Sequence, residues 1–224
     1  NGTATNSGTL IMSGTNQTIN GNIGNTNSLN RFDVNSTTTV TGNINSTNIG
    51  GNGTLIMNGT TQSITGIVGT TNLNINSGTT TVNGNINSQN TNINNNSSLT
   101  LNNSTVNSVI KTGTAGTGNL NLSGTNSITG DVGEASKKLN NINALANSNT
   151  TFNDNIYSNN INLGTSSTLD AKKDITSTIT GSGTLNLNGT NDQTINGTVG
   201  TTNLNVNNGS NKVIANDNIN STNT

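Results

Sequence analysis

Asp170 and Asp174 flank Lys172 and Lys173, and Asp131 and Glu134 stand just ahead of Lys137 and Lys138. Two carboxylates held close together are what glycan-cleaving sites use, one as general acid and the other as base or nucleophile. Hydrolytic chemistry more often relies on His as the positioned base, and the chain contains none. Eight acids spread over 224 residues are too sparse to build a carboxylate cluster on adjacent turns. Both segments therefore read as solvated surface.

Other patterns point to binding. Gly50-Gly51-Asn52-Gly53 approaches the Gly-Gly-x-Gly-x-Asp repeat that holds calcium in some solenoids, but it lacks the Asp that would supply the oxygens. Thr runs at 37–39, 79–81 and 150–151 resemble pieces of the flat Thr arrays of ice-binding solenoids. They do not recur at every repeat, so they read as strand formers on the solvent side, at equivalent places in their units. Sequons at Asn16, Asn35, Asn58 and Asn188 follow from the abundance of Asn and Thr and do not mark glycosylation. Stacked Asn side chains, inward or at corners, are expected to bond to one another along the repeat, as identical stacked amides do in cross-β assemblies. No residue is assigned a catalytic, cofactor-binding or metal-ligating role, and no cofactor is expected.

The elements that position these residues must be built from few apolar groups. Only 26% of the chain is hydrophobic, 1% is aromatic and 7% is charged, while Asn alone makes up about a quarter. So little apolar surface cannot fill a three-dimensional core, and low hydrophobicity is a common mark of disorder. Disordered chains are usually rich in charge and Pro, however, and this one has little charge and no Pro. Its aliphatics also recur regularly, which suits a one-dimensional core to which each turn adds a few inward side chains. The formal net charge of −1 and the scarcity of aromatics give nucleic acid neither a basic patch nor a stacking platform. No run of eighteen apolar residues is present, so no membrane-spanning helix is expected. The absence of Cys excludes a disulfide framework.

Four blocks align by eye, beginning at Gly8, Gly53, Gly118 and Gly183 with Gly-Thr/Asn-Leu-Ile/Asn-Met/Leu-Ser/Asn-Gly-Thr. Each is followed by an aliphatic pair four apart around a Gly: Ile19/Ile23, Ile64/Val68, Ile128/Val132 and Ile195/Val199. The units are 45, 65 and 65 residues long. Beneath them, an aliphatic pattern recurs about ten times with starts 18 to 27 residues apart. On this reading the first unit holds two turns and the later ones three, so units differ by whole turns.

Apolar residues two apart put both side chains on one face of a strand, while Gly and Asn tolerate the positive φ of corners. The period is too long for a hairpin repeat and lacks helical spacing. The expected fold is all-β, a right-handed parallel β-helix (β-solenoid) of about ten turns, each with three short strands. At about 4.8 Å per turn the rod would be roughly 45–50 Å long. Residues 1–224 read as a single segment of a longer repeat array, with length variation confined to corners. The stretch Gly133–Thr150 is the most irregular, and Glu134–Lys138 is expected to bulge outward.

The runs Gly53-Thr-Leu-Ile-Met-Asn-Gly-Thr-Thr-Gln-Ser-Ile-Thr-Gly-Ile-Val-Gly-Thr-Thr-Asn72 and Gly183-Thr-Leu-Asn-Leu-Asn-Gly-Thr, with Thr194-Ile-Asn-Gly-Thr-Val-Gly200, resemble the passenger repeats of rickettsial autotransporters, outer membrane protein B and the surface cell antigens. The resemblance covers nearly the whole chain. It implies a passenger exported through an outer-membrane barrel and displayed on the bacterial cell surface. There it would act as an adhesin toward a host-cell receptor or extracellular matrix, or as a rigid spacer. No family site residue has a counterpart to carry over, no barrel is present in this sequence, and Lys is scarce for such a family.

Two further functions follow from the repeat itself. Ile219-Asn-Ser-Thr-Asn223 matches Ile44-Asn-Ser-Thr-Asn48, so the array is expected to continue and its strand edges could pair with flanking repeats or other copies. That would make a surface lattice or filament, with end-to-end or lateral self-association. An ice-binding or carbohydrate-active solenoid is the third possibility, and negative thermal-hysteresis and glycan-cleavage assays are expected for it.

Overall fold

Leu, Ile and Val at i and i+2, with Asn, Ser or Thr between them, favour extended segments that are apolar on one side only. In the computed structural model, which describes residues 3–224, such segments are the regular structure: 23 strands and no helix. They pair in parallel with strands about twenty residues away, so the chain winds as a parallel β-solenoid of about 11 turns. At the inter-strand spacing of parallel sheets the rod is about 50 Å long.

Each turn has three faces. Inward residues of face A stack as Leu10, Phe32, Ile49, Val68, Ile86, Val106, Ile128, Phe152, Ala171, Leu187 and Val206. Face B stacks Gln17, Thr38, Leu55, Leu73, Thr91, Ile110, Val132, Ile156, Ile175, Ile195 and Ala215. Face C stacks Ile23, Ile44, Ile64, Val82, Leu101, Leu122, Ala144, Leu163, Gly181 and Thr201. Between the end turns the aliphatics of these columns are fully buried in one continuous core. Sealing a Leu or Ile in this way contributes about 1.5–3 kcal/mol. The two Phe residues, Phe32 and Phe152, are both buried on face A.

The sequence units do not repeat on one face. Leu10 of the first lies on face A, Leu55 of the second on face B, Leu120 of the third on face C and Leu185 of the fourth on face A again. A unit thus runs one strand beyond a whole number of turns, two and a third for the short one and three and a third for the long ones. The expectation of two and three turns is corrected accordingly, although units still differ by one whole turn. The extra thirds raise the total above ten, and Ile49, which the sequence pattern passed over, is one of the strands they add.

The aliphatic pair four apart is a corner. The strand Thr61–Val68 bends here from face C, where Ile64 points inward, to face A, where Val68 does, with Gly66 between them at φ +119°. A Cβ at Gly66 would overlap the carbonyl oxygen of Ser46 in the turn before, so both conformation and space require Gly. Buried hydroxyls also pair between turns, Thr91 with Ser108 at 2.9 Å and Ser158 with Ser177 at 2.9 Å. The expected outward bulge is present: Glu134 and Lys137 exchange backbone hydrogen bonds of 3.2 and 2.9 Å, which leaves Ala135, Ser136 and Lys137 exposed. Beside it the loop Gly113–Ala115 is exposed too.

Candidate functional site

Of the acids singled out by sequence, Asp131 and Asp174 lie along the edge between faces A and B and Asp170 on the outside of face A, and these three are bonded to a neighbouring turn. Asp131 Oδ1 accepts both the backbone N–H and the side-chain Nδ2 of Asn155 at 3.1 Å. Asp174 Oδ1 accepts the backbone N–H of Thr194 at 2.8 Å, and Asp170 Oδ1 accepts Nδ2 of Asn186 at 2.5 Å. Asp154 Oδ2 accepts the N–H of Gly130 at 2.9 Å, while its Oδ1 lies 3.5 Å from Lys173 Nζ. Glu134 is held off this edge in its own exposed turn. Lys172, Lys137 and Lys138 take part in no ion pair.

These bonds have a shared cause. At a corner the backbone leaves the inter-turn ladder, and an orphaned N–H is costly unless something accepts it. Here an Asn or Asp side chain one turn away does so. Asn22 serves Asn43, Asn43 serves Ser63 and Asn85 serves Thr105, at 2.7 to 2.9 Å. Asp131 and Asp174 occupy the same place, immediately before the aliphatic that opens the next face. That position was readable in the sequence: Asn22, Asn43, Asn85, Asp131 and Asp174 all precede an Ile or Val. The acids are variants of a structural Asn.

Asp131 and Asp154 border a shallow groove of about 560 Å³ that is otherwise lined by neutral groups of three turns, among them Ser88, Gln89, Asn107 and Ser108. Among the described residues no three acidic, His or Cys side chains converge as a metal site would need. On face A, Arg31 Nε donates to both Asp33 oxygens at 2.6 and 2.8 Å, and this bond with the carboxylate's charge raises the Arg31 pKa.

The remaining sequence candidates have architectural places. At Gly51, with φ +101°, a Cβ would overlap the carbonyl of Val34. The Gly50–Gly53 segment is a corner pressed onto the turn before. The sequons are dispersed: Asn16, Asn35 and Asn58 are exposed, and Asn188 is partly buried. The Thr runs, read as solvent-facing and equivalent, face solvent only in part and lie on three different faces. Thr38, Thr80 and Thr150 point into the core and are fully buried, on faces B, C and A respectively. Parity decides this, since each lies two residues before an inward Val40, Val82 or Phe152. The hydroxyls of Thr38 and Thr80 have no partner.

Three Gln residues escaped the sequence reading. Gln62 turns inward, donates to the carbonyls of Val40 and Gly42 at 3.0 and 2.7 Å, and accepts the N–H of Gly59 at 2.6 Å. Gln193 does the same with Ala171, Lys173 and Gly189. Gln17 accepts the N–H of Gly14. Each stands two residues before an Ile and three or four after a Gly, and that recurrence was the available signal.

The most regular surface is the outside of face C. Its two outward columns are Thr61, Thr79, Ser98, Asn119, Asn141, Asn160, Thr178 and Ser63, Thr81, Thr100, Asn121, Asn143, Asn162, Thr180. They form an unbroken two-wide array over seven turns, because Ser and Asn fill the turns that lack a Thr run. No column of Thr alone is continuous, as the sequence implied; the array is a mixed one of Thr, Ser and Asn. None of the seven basic and eight acidic residues of the chain lies on it. In the right-hand column Nδ2 of Asn121 donates to Thr100 at 3.4 Å, Asn143 to Asn121 at 2.8 Å and Asn162 to Asn143 at 2.8 Å, and Thr180 Oγ1 donates to Asn162 at 3.3 Å. Beside it Asn160 donates to Asn141 and Asn141 to Asn119. A shorter ladder on face B joins Asn90 to Asn72, Asn92 to Asn74 and Asn94 to Asn76. Asn ladders are therefore present, but the expectation that they run through inward or corner Asn is corrected: they lie in mid-strand on the outside of the rod, where alternation with inward aliphatics puts the Asn.

No protein-family model, curated protein or solved structure matches this chain.

Proposed function

We propose that this segment is a non-catalytic rigid rod, displayed on a bacterial surface as part of an autotransporter-like passenger, whose task is to set distance. The observation that carries this reading is the use of the acids. The carboxylates best placed for chemistry each accept hydrogen bonds that hold one turn to the next. A carboxylate fixed by bonds to the next turn suits a structural tie better than proton transfer, because charge-assisted bonds hold it in one geometry. Neutral amide ladders and a core without disulfides fit a chain that folds turn by turn as it leaves a barrel. No helix long and apolar enough to cross a membrane occurs among the described residues.

The test changes length alone. Deleting residues 73–90 removes one complete turn, because Leu73 and Thr91 are register partners. The rod should stay folded and shorten by about 4.8 Å, as read by small-angle scattering. Variants with turns removed or duplicated, displayed on cells, should change the antibody accessibility of a tip epitope in step with length. Accessibility indifferent to length would overturn the spacer reading.

The exposed turn Ala135–Lys137, next to the loop Gly113–Ala115, supports a second reading in which the rod also adheres to a host receptor or matrix. Replacing Ala135–Lys137 by a Gly-Ser turn should then abolish binding of the segment to cells. Binding equal to background before and after the change leaves the spacer alone.

A further inference from the structure

Face C differs from the other two faces in what a partner would have to desolvate. Face A carries Arg31, Asp33 and Asp170, and the A–B edge carries Asp131, Asp154 and Lys173. Pressing those groups against a protein surface would strip water from ions. The array on face C has only hydroxyls and carboxamides, so a like surface can approach it with no charge repelled or buried. The array is also asymmetric along its length. Among the described residues Thr61, Ser63, Thr79, Thr81 and Ser98 make no side-chain hydrogen bond, whereas Asn141, Asn143 and Asn160 are tied in ladders. A carboxamide has two N–H donors and two acceptor lone pairs, and a ladder uses one of each. The Asn half therefore presents fixed, half-satisfied amides, and the Ser/Thr half presents free hydroxyls of complementary capacity.

We propose that the outer surface of face C is a self-association surface, on which a second copy of this chain docks antiparallel about a two-fold axis through Asn121. Asn121 belongs to the fourth of the seven turns. A two-fold there sets Thr81 opposite the partner's Asn162, and Thr100 opposite the partner's Asn143. The contact is isologous, so it closes as a dimer and does not propagate. Parallel docking would instead leave free hydroxyls facing free hydroxyls. The strip is about 34 Å long and two side chains wide, so two copies bury on the order of 1,000 Å² together, the lower edge of persistent interfaces. The association is reversible in dilute solution and strengthens where many rods meet at once. It does not depend on the spacer reading, because it concerns the surface of the rod wherever it is placed.

The chain has no Cys, so an introduced Cys is unique. Sedimentation of the whole segment over rising concentration should show a monomer–dimer equilibrium. Asn121→Lys sets two cations face to face on the axis and should weaken it by about tenfold or more. Thr81→Lys, which breaks no bond within the molecule, should weaken it too, and Asn74→Lys on face B should leave it unchanged. Under mild oxidation Asn121→Cys should cross-link to itself, and a Thr81→Cys protein should cross-link to an Asn162→Cys protein in preference to itself. A monomer at all concentrations, equal association of the face C and face B variants, or Thr81→Cys coupling mainly to itself would each overturn the proposal. Circular dichroism of each variant separates lost association from lost folding.

Discussion

Between Thr61 and Thr100 the outer rungs of face C are hydroxyls, nearly all without a partner in the molecule, while between Asn119 and Asn162 they are carboxamides linked turn to turn. The inner rungs differ as well. Beneath the first half Gln62 and Thr80 are buried, and beneath the second Leu120, Ile142 and Ile161 are. The same backbone geometry supports both. Parallel strands stand about 4.8 Å apart, so a hydroxyl meets its copy only where the two side chains lean together, as Ser158 and Ser177 do at 2.9 Å. An Asn spans the gap because its donor and acceptor stand on opposite sides of one planar group. On face C, Thr79 and Thr81 leave their hydrogen-bonding valence open to solvent and the buried Thr80 leaves it open to nothing, whereas a stacked Asn closes it.

The comparison can be broken most forcefully from the inside. Ile142→Ala in the amide half should cost about 2–5 kcal/mol, read as a lowered urea midpoint. Its inward neighbours Leu120 and Ile161 are fully buried and cannot close the void. In the hydroxyl half the sign reverses. Thr80→Val exchanges an unpartnered buried hydroxyl for a methyl group of the same shape and should raise stability by about 1–2 kcal/mol. A lowered midpoint would mean that the Thr80 hydroxyl has a partner after all.

Outside, Asn143→Ala cuts the ladder on both sides, from Asn121 and from Asn162. It should cost about 1–2 kcal/mol. Thr81→Ala at the matching place in the other half should stay within about 0.5 kcal/mol. Equal costs for the two would erase the distinction drawn between the halves. The smallest effect sharpens it: Thr100→Asn extends the ladder by one rung toward the hydroxyl half and should add about 0.5 kcal/mol, partly offset by the poorer strand propensity of Asn.

Much of the fold was legible because its rules are local. Ile64 and Val68 around Gly66 announce a corner, Leu120 and Leu122 announce an inward pair, and the irregular 134–137 segment announces a bulge. The candidate acids were legible only in part. Their spacing from Lys residues drew attention, while the more informative fact was their place before Val132 and Ile175, where other turns have Asn. The buried Thr residues were misread by type, when parity with Val40, Val82 and Phe152 already gave their direction.

By itself the chain determined that it would be extended, that its aliphatics would share one narrow core, and where it would bend, because side-chain alternation and the conformational freedom of Gly act over a few residues. Which face each unit occupies was settled only in three dimensions. Unit length counts residues, and the face depends on the number of strands those residues make, which hydrogen-bond register alone reveals. For the same reason the seven-turn array on face C, assembled from residues of two different units, exists only once the turns are stacked.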